Sequence, residues 1–137
     1  MARHEARSIG ITINCPLAKA YDFAYQPENF PRWAAGLSAS LHREGATWRA
    51  ETPLGEATVR FSPHNAYGVL DHWVHLPGKH VVYMPLRMIE NGDGTEVVLT
   101  LFRQPGMDDA AFERDASLVK KDLAALKSLL ESKRLTG

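Results

Sequence analysis

The stretch that decides the fold is DDAAFERDASLVKKDLAALKSLLESK, which runs from Asp108 to Lys133. Its apolar residues recur at alternating intervals of four and three, so they lie on one face of a helix. Acidic residues crowd its start and basic residues its end, which suits the helix dipole. A helix of about 26 residues would be roughly 39 Å long and needs a wide surface to cover that face. The apolar face comprises Phe112, Ala116, Val119, Leu123, Leu126 and Leu130.

Short runs that alternate between apolar and polar residues precede this helix, and such alternation is typical of half-buried β-strands. The turn segments between the runs, such as Pro77-Gly78, are short enough for antiparallel hairpins. Pro16 and Pro27 each suit the first turn of a short helix. The sequence therefore predicts strands at Arg7–Asn14, Ser38–Arg43, Ala46–Thr52, Ala57–Phe61, Gly68–Leu76, His80–Glu90 and Thr95–Arg103, with short helices at Ala18–Ala24 and Pro27–Trp33.

Length and composition set broad limits. The 137 residues favour a single domain over residues 1–137 with a real core. Basic and acidic residues are balanced at 16 each, so charge gives no argument for nucleic acid or an anionic membrane. Cys15 is the one cysteine, so a reducing compartment is the simpler assumption. Because no signal peptide or membrane span is readable, we expect a cytoplasmic protein without stable membrane insertion.

Motifs at both ends of the chain resemble a known superfamily. Ile9-Gly-Ile-Thr-Ile13, Cys15-Pro-Leu-Ala-Lys-Ala-Tyr-Asp-Phe23 and Gln26-Pro-Glu-Asn-Phe-Pro-Arg-Trp33 look like the start of SRPBCC proteins. This superfamily contains START-like, birch-pollen-allergen-like and polyketide cyclase/dehydrase-like domains. Asn91-Gly-Asp-Gly-Thr95, a strand, Pro105-Gly106 and the long helix resemble its ending.

The resemblance implies an α+β helix-grip (START-like) fold. A curved seven-stranded antiparallel sheet would wrap around the long C-terminal helix and leave an apolar cavity. Two short helices would lie between the first and second strands. Members of the superfamily bind lipids, sterols, quinones or polyketides, and some catalyse cyclisation or dehydration.

The period of two along each strand predicts which side chains face the cavity. In Gly68–Leu76 we place His72 inward, because the opposite face carries Asp71, which is costly to bury unpaired. Trp73 argues for the reverse orientation, and a bulge would produce it. The other predicted cavity residues are inward positions on the strands and residues on the helices. The predicted cavity residues are Trp33, Trp48, Val59, Phe61, Leu70, His72, Val82, Met84, Met88, Val119 and Leu123.

His72 is the candidate for chemistry in this cavity. It would act as a structural histidine, as a hydrogen-bonding handle for a ligand carbonyl or hydroxyl, or as a general acid or base. His72 and His75 are three positions apart on a strand and face opposite sides, so they cannot share a metal ion. The sequence carries no zinc-ligand, nucleophile-elbow or nucleotide-binding motif. We therefore expect no metal and no cofactor.

Three functions are compatible with these features. The first is binding of a small or elongated hydrophobic ligand, such as a lipid-, quinone- or polyketide-like molecule, with no nucleic-acid partner. The second is a polyketide cyclase/dehydratase-like enzyme that uses His72. The third is a co-chaperone-like protein-interaction module that uses the outer sheet face with Trp73 and Arg87, where Arg87 is expected to be a solvated surface residue. Association into a homodimer is left open.

Overall fold

The computed structural model of the protein describes residues 3–34, 41–52, 55–78 and 80–132. Predicted strand residues 38–40 and the predicted helix end at Lys133 lie outside these ranges. A 3-10 turn at Pro27–Asn29 precedes the second of the described helices. The helices are α1 (Leu17–Ala24), α2 (Phe30–Trp33) and α3 (Asp109–Leu130). The strands are β1 (Ala6–Ile13), β2 (Leu41–Glu44), β3 (Thr47–Thr52), β4 (Gly55–Phe61), β5 (His72–His75), β6 (Val81–Met84), β7 (Leu86–Asn91) and β8 (Gly94–Phe102).

The described strands form two antiparallel ladders, ordered β1-β8-β7 and β2-β3-β4-β5-β6. The α+β helix-grip architecture is confirmed, but the prediction of seven strands in one sheet is wrong. Predicted strands Gly68–Leu76 and His80–Glu90 each pass from one ladder to the other. The start of the first segment pairs with β7: Leu70 N–H donates to Leu86 O (2.8 Å), and Met88 N–H donates to Gly68 O (2.8 Å). The end of that segment forms β5, which pairs with β4 and β6.

Pro85 lies at the point where the second of these segments, His80–Glu90, passes from one ladder to the other. Proline has no backbone N–H and cannot donate to a ladder, so the strand breaks there into β6 and β7. The carbonyl oxygen of Pro85 accepts a hydrogen bond from Thr100 N (3.0 Å) in β8. At the crossing of the neighbouring segment, a carboxylate oxygen of Asp71 accepts from Leu86 N (2.9 Å). The two crossings are thereby held side by side.

Helix α3 packs its predicted apolar face into the core. The six residues of that face are buried, as the four-and-three spacing predicts. Asp108 caps the helix, because its Oδ1 accepts from Ala111 N (2.8 Å). Three polar contacts tie α3 to the β1 segment: Arg7 pairs with Glu113 (2.7 Å), Lys127 Nζ donates to Thr12 O (2.9 Å), and Asn14 N donates to Glu131 (2.7 Å). These contacts are exposed and contribute little stability, so the apolar face carries the docking.

Candidate functional site

A cavity of about 310 Å³ lies between the strands and helices α2 and α3. Strands β5 and β6 form one wall through two cross-strand pairs, His72 with Met84 and Val74 with Val82. Helix α3 contributes Val119 and Leu123 to the opposite wall. The lining is mostly apolar, which is typical of pockets for small organic molecules. Further apolar lining residues are Phe30, Trp33, Leu76, Leu86, Leu99 and Leu101.

The predicted cavity residues divide into two groups. Those that line the cavity are Trp33, His72, Val82, Met84, Val119 and Leu123. The others lie elsewhere. Val59 and Met88 are buried away from the cavity, while Phe61 and Leu70 border a much smaller neighbouring pocket. Trp48 is half-buried on β3, two strands from β5 in the ladder, with the Arg43 guanidinium 6.0 Å from its ring centre.

The rim of the cavity contains polar residues. His80 Nε2–H donates to Gln104 Oε1 (2.7 Å), and both residues border the cavity. Asp115 and Asp122 border it from α3, and burial raises the pKa of the Asp115 carboxyl. Helical spacing could have predicted that Asp115 and Asp122 border the cavity, because both positions flank the apolar face of α3.

His72 is 3% exposed and lies at the inner wall of the cavity. Its Nδ1 is 3.3 Å from the carbonyl oxygen of Leu70. The Phe30 ring meets it edge-on at 5.3 Å, and the Phe61 ring lies at 5.9 Å. Burial lowers the pKa of His72 to about 4, while the Leu70 carbonyl and the Asp71 charge oppose the shift. The imidazole is therefore neutral near pH 7.

Trp33 also lines the cavity, and its ring is edge-on to Phe30 at 5.2 Å. It is 4% exposed, and its Nε1–H is buried without a hydrogen-bond partner. A buried donor without a partner costs roughly 1–3 kcal/mol. Trp33 lines the cavity, and a buried donor left unpaired at such a position often has a functional reason.

Asp71 lies on the other side of its strand segment from His72, but it is not solvent-facing. It is 4% exposed, and its carboxylate accepts hydrogen bonds from Tyr83 Oη (2.7 Å), Leu86 N (2.9 Å) and Arg87 Nε and Nη2 (both 2.8 Å). Burial raises the pKa of Asp71, but these hydrogen bonds outweigh it and hold that pKa below its usual value. Arg87 is exposed, as expected, but its guanidinium also forms an ion pair with the buried Asp71.

The outer sheet face holds Trp73 in an aromatic stack. Arg60 lies over the Trp73 ring with its guanidinium carbon 4.1 Å from the ring centre. Tyr83 stacks on the same ring at 5.2 Å, and Phe102 lies 6.3 Å beyond Tyr83. Arg60, Trp73 and Tyr83 are thus engaged with one another on this face, and Tyr83 also reaches Asp71.

Two further features bear on the kind of site. In the part of the chain that the structure describes, no three His, Cys, Asp or Glu side chains are grouped to hold a metal ion. None of the helices within the described ranges combines the length and apolar character needed to cross a membrane.

No protein-family model and no curated protein matches the sequence. Solved structures with a similar fold do exist. The Aha1 dimer from Colwellia psychrerythraea is 13% identical, with a TM-score of 0.74 over 93% of this chain and 96% of that one. A START superfamily protein from Mycobacterium smegmatis is 10% identical, with a TM-score of 0.69 over 92% and 97%. DynU16, a protein of the dynemicin biosynthetic locus, is 12% identical, with a TM-score of 0.69 over 93% of this chain and 48% of that one.

These neighbours agree with the architecture described above. The chain has the START-like, SRPBCC-type fold: antiparallel strands that enclose a long C-terminal helix, with short helices after the first strand. Identities of 10–13% carry the fold and leave the ligand open.

Proposed function

We propose that the protein binds a small, mainly hydrophobic molecule inside the cavity. The observation that carries this proposal is the largely apolar cavity of about 310 Å³ between the sheet and α3. Ligand pockets in proteins usually measure roughly 300–1,000 Å³ and combine apolar walls with a few polar groups. A volume at the lower end of this range suits a compact molecule, or the apolar end of an elongated one.

The fold shared with the neighbours supports a hydrophobic ligand, which we propose to be lipid-, quinone- or polyketide-like. One of them belongs to the START superfamily, and another is a protein of the dynemicin biosynthetic locus. The fold and the apolar lining of the cavity together favour a hydrophobic ligand for this chain.

Binding ranks ahead of catalysis because of the surroundings of His72. A catalytic histidine usually acts with a second group that orients it or shares its proton. Among the described residues, no carboxylate or hydroxyl donates to or accepts from His72, whose one hydrogen-bond contact is Leu70 O. Its low pKa also makes it a weak base. A cyclase/dehydratase-like activity would therefore depend mainly on the shape of the cavity.

Binding also ranks ahead of the protein-interaction hypothesis. The residues that would form the outer docking face are engaged within the protein: Arg87 with Asp71, and Trp73 with Arg60 and Tyr83. A protein partner would have to displace these contacts or bind to the face with the contacts in place.

Native mass spectrometry of the purified protein tests the proposal directly. We expect a fraction of the molecules to carry a bound small molecule that organic solvent extracts. The same spectra report whether the protein is a monomer or a homodimer, which bears on the neighbour described as a dimer.

A binding assay with the neutral dye N-phenyl-1-naphthylamine tests where the ligand sits. Met84→Trp fills the cavity, so it should weaken dye binding by roughly tenfold, equivalent to about 1.4 kcal/mol. Val81→Trp is the matched control, because Val81 lies on the same strand, is 44% exposed and does not line the cavity. Equal dye affinity in the folded Met84→Trp and Val81→Trp variants would count against binding at this cavity.

A further inference from the structure

Among the described residues, the cavity has one buried polar residue that is placed to accept a hydrogen bond from a ligand. The other polar residues along its lining, such as Gln104 and Asp115, lie at the half-exposed or exposed rim within the described chain. His72 is the exception, since it is buried and lines the inner wall. Trp33 Nε1 is also unpartnered, but it is covered by protein, so the ligand contact falls to His72.

The hydrogen bond to the backbone determines the chemical character of His72. Leu70 O is a carbonyl and can only accept, so the proton of the ring lies on Nδ1, 3.3 Å away. In a neutral imidazole the other nitrogen then carries a lone pair and is an acceptor. Burial lowers the pKa of this ring to about 4, which keeps it in the neutral form. Nε2 has no hydrogen-bond partner among the described residues.

We infer that the ligand presents a hydroxyl group to His72 and donates its hydrogen bond to Nε2. This inference rests on the proposed function and narrows it to neutral apolar molecules with a hydroxyl at one end, such as phenols and alcohols. A carbonyl or ether oxygen has no hydrogen to donate and would face the Nε2 lone pair without a bond. A carboxylate would add an unpaired negative charge to an apolar site, which is more costly still.

The aromatic surroundings favour a phenol within this class. The Phe30 ring meets the His72 ring edge-on at 5.3 Å, and Phe30 and Trp33 both line the cavity. Aromatic rings pack well edge-on or offset against one another at centroid separations of about 4.5–7 Å. A phenol would place its ring among these side chains and its hydroxyl on Nε2.

The test compares two probes that differ in the hydroxyl hydrogen: 4-butylphenol and its methyl ether, 4-butylanisole. Each probe competes with N-phenyl-1-naphthylamine for the native protein. We expect the phenol to bind at least about fivefold more tightly, because an acceptor left without its partner in a buried site carries a penalty of that order. Equal affinities, or tighter binding of the ether, would overturn the inference.

The variant His72→Phe then tests whether His72 causes the preference for the phenol over the ether. The variant keeps an aromatic ring but has no acceptor, so the phenol should lose its advantage while the ether binds as before. His75→Phe, which changes an exposed histidine on the same strand that does not line the cavity, is the control and should keep the advantage. An advantage that survives in folded His72→Phe protein would overturn the inference. If His72→Phe does not fold, the comparison of the two probes on native protein still tests whether the ligand donates a hydroxyl hydrogen.

The assay also separates this inference from the proposed function. If the dye and both probes bind with no difference between the probes, the cavity is a ligand site and the hydroxyl inference fails. If neither the dye nor the probes bind to protein freed of endogenous ligand, both proposals fail.

Discussion

Lowering the pH should destabilise the protein through His72 before its carboxylates are affected. The folded pKa of His72 is about 4, below the ordinary value of 6.5. Between these values the unfolded chain binds a proton at His72 that the folded chain excludes. The free energy of unfolding therefore falls as the pH falls through this window, and the stability that neutral His72 contributes is fully present only above about 6.5.

The size of the effect follows from the difference between the two pKa values. A shift of one unit corresponds to about 1.4 kcal/mol, so the whole window corresponds to about 3 kcal/mol. Between pH 6.5 and pH 5 the expected loss is about 2 kcal/mol. Asp71, Glu113 and Glu131 have lowered pKa values, so the stability they contribute is lost at lower pH. Asp115, whose pKa is raised, acts in the opposite direction.

Urea unfolding followed by tryptophan fluorescence at pH 7, 6 and 5 measures this loss. His72→Asn replaces the ring with a group that does not titrate and still offers an N–H toward Leu70 O. We expect the variant to lose most of the pH dependence between 6.5 and 5. His42→Asn, which changes an exposed histidine on β2, should retain it. A folded His72→Asn variant with the same pH dependence as the parent would refute the reasoning.

Three further predictions concern stability and can be checked by thermal and urea unfolding. Leu123→Asp places a charge at the centre of the buried face of α3 and should cost about 3 kcal/mol or more; a variant that melts within a degree or two of the parent would show that α3 does not dock as described. Asp71→Ala removes the acceptor of four hydrogen bonds and should cost about 2–4 kcal/mol, whereas Glu113→Ala, at an exposed ion pair, should hardly move the midpoint. Gly68→Ala should be far more costly than Gly45→Ala: both glycines have positive φ (73° and 65°), but a Cβ at position 68 would lie 2.2 Å from a β7 carbonyl oxygen, and position 45 is open. Equal costs for the two glycine variants would contradict the close approach.

Local patterns were enough to predict the elements that frame the site. Helix α3 follows from the spacing of its apolar residues, because that spacing reflects the geometry of the helix itself. Strand β1 follows from its alternating isoleucines in the same way. The short helices and the overall α+β order were also readable, since proline and turn residues mark their limits.

The cavity was only partly predictable, because it depends on which strands lie opposite α3. Alternation gives the face of a residue but not its distance from the helix. Trp48 and His72 were therefore treated alike, although the structure places only His72 at the cavity. Asp71 shows the same limit. A buried carboxylate is costly only when unpaired, and its partners Tyr83 and Arg87 lie more than ten residues away along the chain.

The sequence by itself determined the helix with its apolar face, the strand periodicity and the α+β order of the elements, because these depend on neighbours within a few residues. The tertiary structure alone decided the passage of two segments between ladders at Asp71 and Pro85, the burial of Asp71 with its hydrogen-bond donors, and the burial of His72 at the wall of the cavity. Those features arise from pairing between distant segments, whose register no local pattern specifies.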